Sequence, residues 1–156
     1  MKEMVAVLHN IRSVHNVGSI FRTADSAGIK KIYLCGITPI PLDRFGKVRP
    51  DFSKVSLGAE RFVKWEYKRS VATVINTLKK EGYVVYAVEQ SKHSKPYYSM
   101  RKKRENAALI MGNEVGGLPK SVLLKVDEIL EIPMHGGKES LNVSVAFGIV
   151  AYGVKY

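Results

Sequence analysis

A chain of 156 residues is long enough to bury the core of one domain. Its 25 Lys and Arg against 14 Asp and Glu leave a formal net charge of +11, which points to a polyanionic partner, nucleic acid first among them. No apolar run approaches the ~18 residues that cross a bilayer, and the first residues lack the apolar segment of a secretory leader; the lone Cys35 excludes an internal disulfide and fits a reducing cytoplasm.

The first β-rich run covers residues 4–8. Val17, Ile20, Phe21, Ala24 and Ala27 then fall at helical spacing, with Asn16 as the expected cap and Gly28 as the stop. Gly18, Arg22 and Asp25 lie along a flank beside that apolar stripe. A second strand is expected over 31–37. Between 38 and 69 the pattern weakens: Pro39, Pro41 and Pro50 interrupt it. Basic residues from Arg44 to Arg69 alternate there with Phe45, Phe52, Phe62, Trp65 and Tyr67. Such interleaving suits phosphate contact plus base stacking, and equally a core aromatic set beside a solvated charged face.

Ser70 caps a helix whose Val71, Val74, Ile75 and Leu78 share one face, stopped by Gly82. A buried strand follows at 83–89, then a polar, basic loop at 90–105 whose densest charge is the run 101–104. The strand expected at 107–111 opens onto Gly112-Asn113-Glu114-Val115-Gly116-Gly117-Leu118-Pro119, and Pro119 starts a short helix reaching Val126. The last strand is read at 129–134, followed by a Gly136-Gly137 loop. The last helix is expected from about Ser140, its N-cap, to the C-terminus. Two apolar flanks mark it: Leu141, Val145, Ile149 and Tyr152 on one, Val143, Ala146, Phe147 and Val150 on the other. A helix apolar on both sides needs cover on more than one side: this chain's own core can supply one, and either that core again, as for a plain C-terminal core helix, or a second subunit the other. Alternating strands and helices without repeat or linker indicate a single α/β domain over 1–156, with a largely parallel sheet and helices on both faces.

Standard glycine-loop and metal patterns fail on spacing. Gly117 is followed by Leu-Pro and Gly137-Lys138 by Glu139, so neither is a Walker loop. No Gly-x-Gly-x-x-Gly follows the first strand, and His9, His15, His93 and His135 stand too far apart to suggest a metal site.

Three polar stretches remain: Asn16-x-Gly18-x-x-x-Arg22-Thr23-Ala24, the Gly112 to Pro119 loop, and the segment 132–146 with its Ile-Pro-Met and Glu-Ser-Leu-Asn-Val-Ser-Val-Ala. In this order and at these distances they resemble the three signature motifs of the SpoU (TrmH) family of RNA 2′-O-methyltransferases, of the SPOUT class. The similarity covers nearly the whole chain; Val115 departs from the small or polar residue expected there. The resemblance implies an α/β fold with a C-terminal trefoil knot, S-adenosylmethionine as cofactor and no metal. It also implies tRNA or rRNA as substrate, and a homodimer whose interface completes the active site. Carried over by motif position, Arg22 assists the ribose hydroxyl, and Asn16, Glu114, Ser140 and Asn142 fill the other catalytic positions. Backbone around Gly112, Ile132 and Leu141, with Met134, Gly117 and Val88 beside it, holds the cofactor. No appended RNA-binding domain is expected. Two rivals remain open: methylation of a base nitrogen, and a catalytically silent RNA-binding or ribosome-assembly module.

Overall fold

The computed structural model describes residues 3–100 and 105–156, so the basic run at 101–104 lies outside the described residues. Seven strands form one sheet: β1 Met4–His9, β2 Lys31–Cys35, β3 Lys64–Lys68, β4 Tyr83–Val88, β5 Lys95–Pro96, β6 Asn106–Met111 and β7 Glu128–Glu131. Their order is β3-β2-β1-β6-β4-β7-β5, and every paired neighbour runs parallel. Among the described residues five α-helices accompany the sheet: α1 Val14–Ser26, α2 Pro50–Ser56, α3 Val71–Lys80, α4 Lys120–Leu123 and α5 Val143–Lys155.

The two-residue period of β1 divides the core. Met4, Ala6 and Leu8 pack into a cluster with Phe21 of α1, Phe52 of α2 and Phe147 of α5. Val5 and Val7 face the opposite cluster, with Val74 and Ile75 of α3 and Val122 of α4. Helices therefore cover both faces, as the alternating pattern requires. Among the described residues no helix is long and apolar enough to cross a membrane.

Several boundaries move from their expected places for identifiable reasons. Ser13, not Asn16, caps α1: its hydroxyl accepts the Asn16 N–H at 3.1 Å, which leaves the Asn16 amide free inside the first turn. Asn142, not Ser140, caps α5, its side-chain oxygen accepting from the N–H groups of Ser144 and Val145. β2 stops at Cys35 because Gly36 turns the chain at φ +65°. α4 ends at Leu123, short of Val126, and β7 ends at Glu131, before Pro133. The stretch at 38–69 is not simply irregular: it contains α2, which starts at Pro50, and the edge strand β3. The 90–105 loop carries the short edge strand β5.

Parallel strands share one carboxyl edge. Ligands of open parallel sheets bind at that edge, where neighbouring loops diverge.

Candidate active site

A cleft of about 560 Å³ opens at the carboxyl ends of β4, β6 and β7. Val88, Met111, Ile132, Met134, Leu141 and Ala146 make its apolar walls; Asn16, Glu114, Ser140 and Asn142 supply its polar groups. Gly112 and Gly117 also line it. Every residue carried over as catalytic or cofactor-holding thus borders one cavity, except Arg22. Arg22 is exposed on α1 and stands outside the cleft of its own chain.

A line of side-chain amides joins the three polar stretches. Asn142 Nδ2 donates to Asn16 Oδ1 at 3.0 Å, and Asn16 Nδ2 donates to Glu114 Oε1 at 3.2 Å. Glu114 also accepts from the backbone N–H groups of Arg12 and Ser13, each at 3.1 Å. It therefore ties the loop after β6 to the start of α1 and does not cap the helix near Pro119. Partial burial alone would push the Glu114 carboxyl up, but the Arg12, Ser13 and Glu114 backbone N–H groups and the Asn16 amide outweigh it and hold the group below its ordinary 4.5. Ionised and saturated with donors, Glu114 is a positioning group rather than a proton acceptor.

The loop after β6 is fixed by residues that sequence reasoning passed over. Asn113 Oδ1 accepts from the N–H groups of Val115 and Gly116 at 2.9 Å, while its Nδ2 donates to the Asn10 carbonyl at 2.8 Å. Glu89 accepts from Leu118 N–H and Gln90 N–H, both at 2.9 Å. Gly117 sits at φ +64° with Glu89 where a Cβ would point, and a Cβ on Gly112 would lie 2.7 Å from the Gly117 carbonyl carbon. These two glycines are demanded by the loop's own packing. Asn10 itself adopts φ 55°, a conformation that asparagine tolerates, and its Oδ1 accepts from Ile37 N–H at 3.0 Å.

The opposite wall, 132–142, is held more lightly. Gln90 Nε2 donates to the Glu139 carbonyl at 2.7 Å, Ser140 and Leu141 are exposed, and nothing lies within 4 Å of where a Cβ on Gly136 or Gly137 would stand. Among the described residues no group of three or more His, Cys, Asp and Glu side chains converges as a metal site.

Comparison with known proteins agrees with this geometry. The sequence model of the SpoU rRNA Methylase family matches residues 3–152. The chain is 31% identical, over 94% of its length, to the 23S rRNA (guanosine-2′-O-)-methyltransferase RlmB of Neisseria meningitidis, of which it spans 56%. Its fold superimposes with a TM-score of 0.87 on an AdoMet-bound rRNA methyltransferase from Sinorhizobium meliloti, at 28% identity, covering 97% of this chain and 55% of that one. A structure described by the 2-OH methylation of C/U34 on tRNA aligns with a TM-score of 0.80 at 28% identity, covering 98% of this chain and 94% of that one. The chain thus spans little more than half the length of the RlmB relatives it matches. Since the match runs from β1 into α5 and takes in the whole cleft, this chain belongs to the SpoU rRNA methylase family.

Proposed function

We propose that this domain transfers a methyl group from S-adenosylmethionine to a ribose 2′-hydroxyl of tRNA or rRNA, and that it acts as a homodimer. The observation that carries the reading is the Asn142–Asn16–Glu114 line, which draws three distant motifs to the rim of one cleft. The named relatives support it: they include RNA 2′-O-methyltransferases and an AdoMet-bound structure. The C-terminal trefoil knot expected from the resemblance belongs to this proposal.

The cleft suits the cofactor. Its volume lies in the range of small-molecule sites, and Val88, Ile132, Met134 and Leu141 offer an apolar wall to a flat heterocycle. Glu89 and Glu114 border the same space and favour a ligand carrying positive charge. When bound, the cofactor supplies an electrophilic methyl together with its own leaving group. The chain's residues then have three tasks: to hold, to aim and to stabilise charge on the attacking oxygen.

Arg22 takes the third task. A guanidinium keeps its proton at neutral pH, so it fixes a neighbouring phosphate and favours the alkoxide, and the hydroxyl proton leaves to water. Since Arg22 lies outside its own chain's cleft, it serves the cleft of a second copy. The surface supports this pairing. α5 buries Phe147, Val150 and Val154 but leaves Val145, Tyr152 and Tyr156 exposed at 50%, 43% and 65%. α1 lies beside α5, with the Thr23 methyl 3.5 Å from where a Cβ on Gly148 would stand, so a copy docking on the apolar flank also meets the outer face of α1.

The test is transfer of labelled methyl groups into unmodified total RNA, followed by nucleoside identification. Label in 2′-O-methylnucleosides supports the reading and identifies the RNA; label confined to a base nitrogen, or no cofactor binding in calorimetry, overturns it.

A further inference from the structure

The basic and aromatic residues between 38 and 69 do not form one surface. Phe52 is fully buried beneath α1, with its ring edge-on to Phe21. Phe62 precedes β3 and so belongs to the amino edge, away from the cleft. Phe45 is different. It stands 72% exposed at the tip of a turn built to hold it.

That turn is well specified. Asp43 Oδ1 accepts from Phe45 N–H at 2.8 Å and from Lys47 N–H at 3.0 Å, and Asp43 N–H donates to the Lys47 carbonyl at 2.7 Å. Leu42 and Val48 bridge below it, and Arg49 N–H reaches the Pro41 carbonyl. The Arg44 guanidinium stands 4.8 Å from the Phe45 ring centre, which leaves the ring's other face open. Among the described residues neither Arg44 nor Lys47 has a carboxylate partner, whereas Arg49 is paired with Asp51. A lone exposed phenylalanine needs no explanation. One fixed on a four-bond turn, stacked by a cation and flanked by a second, forms a rigid aromatic face with positive charge beside it.

The turn is also registered to the cleft. At its upstream base Thr38 accepts from Ile11 N–H at 3.2 Å and donates to the Leu8 carbonyl at 2.9 Å, and Ile37 N–H bonds Asn10. Asn10 in turn holds Asn113, and the next residues, Arg12 and Ser13, hold Glu114. Downstream, Phe52 and Val55 of α2 press on α1 at Gly18, 3.2 Å from where its Cβ would be, two residues beyond Asn16. Both ends of the loop are therefore tied to the segment that carries the site's amides. On α1 the exposed Arg22 follows Gly18 by one turn, between the cleft side and the α2 side.

We propose that the turn at 43–47 is a stacking platform for an unpaired RNA base close to the target nucleotide, with Phe45 under the base and Arg44 and Lys47 on the adjoining phosphates. The proposal rests on the RNA reading above. The test is filter binding of unmodified total tRNA and rRNA by the full chain and its variants, alongside calorimetry of cofactor binding. Phe45→Ala should weaken RNA binding roughly 5- to 150-fold, the loss expected of one stacked base, with cofactor affinity unchanged. Phe45→Tyr should stay within about threefold of wild type, because it keeps the ring. Lys47→Gln should lower the slope of log affinity against log salt by about one. If Phe45→Ala binds both RNAs as tightly as wild type, the platform is wrong while the RNA reading stands. If wild type itself binds neither RNA, both fall.

Discussion

The two walls of the cleft are built differently. The loop after β6 is bolted: the Asn113 and Glu114 side chains tie it to Asn10, Arg12 and Ser13, Glu89 accepts from its Leu118 N–H, and two of its glycines leave no room for a methyl group. The 132–142 wall has its Gln90–Glu139 bond and the Asn142 cap, with open space around Gly136 and Gly137. One wall is organised before anything binds; the other keeps Ser140 and Leu141 exposed next to the apolar flank of α5. Such a difference suits the proposed arrangement, in which Arg22 reaches this cleft from a second copy.

Glycine substitutions break this contrast most sharply. Gly112→Ala must displace the Gly117 backbone, at a cost of about 2–3 kcal/mol in urea unfolding and with loss of cofactor binding. Gly136→Ala meets nothing and should stay within about 0.5 kcal/mol of wild type in the same measurement. Equal losses at the two positions would remove the distinction between the walls.

Smaller effects separate holding from aiming. Asn142→Ala loses the α5 cap, about 1 kcal/mol, together with the Asn16 bond, whereas Asn142→Asp keeps a capping oxygen but cannot donate to Asn16. The aspartate variant should therefore melt close to wild type while its methyl transfer falls, as read by thermal unfolding and a single-turnover assay. Glu114→Gln should cost about 1 kcal/mol at neutral pH, since the carboxylate is partly exposed. Its folded pKa is depressed, so the carboxylate's contribution is present above the ordinary 4.5 and lost as pH falls through the folded value. The difference between wild type and variant in urea titrations should accordingly shrink below about pH 4.5. Ser140→Ala should leave stability within about 0.5 kcal/mol, so any fall in its turnover reports contact with the reacting groups.

Much of this was legible in the sequence, and what was not has a physical reason. The α3 cap and stripe appear where the spacing puts them, because Ser70, Val71, Val74, Ile75 and Leu78 need only their own neighbours. β3 was hidden because an edge strand written Lys-Trp-Glu-Tyr-Lys buries little, with Lys64, Glu66 and Lys68 on one face and only Trp65 and Tyr67 on the other, and α2 because it begins at a proline. Asn16 was legible as a site residue but misread as the cap. Ser13 and Asn16 are both capping types, and the choice between them was made by Glu114 and Asn142, respectively 98 and 126 residues away. Glu89 and Asn10 left no local signal, since the bonds that matter here reach Leu118 and Ile37, 29 and 27 residues away. Arg22 stands where no single-chain reading would put a catalytic group, outside the cleft of its own chain.

Mixing two inactive variants tests that placement directly. Arg22→Ala and Asn142→Ala, each defective alone in labelled methyl transfer, should on co-refolding recover roughly a quarter of wild-type activity, because half of the randomly formed two-fold dimers then carry one intact composite site. A mixture no more active than its two components would contradict a site shared between chains.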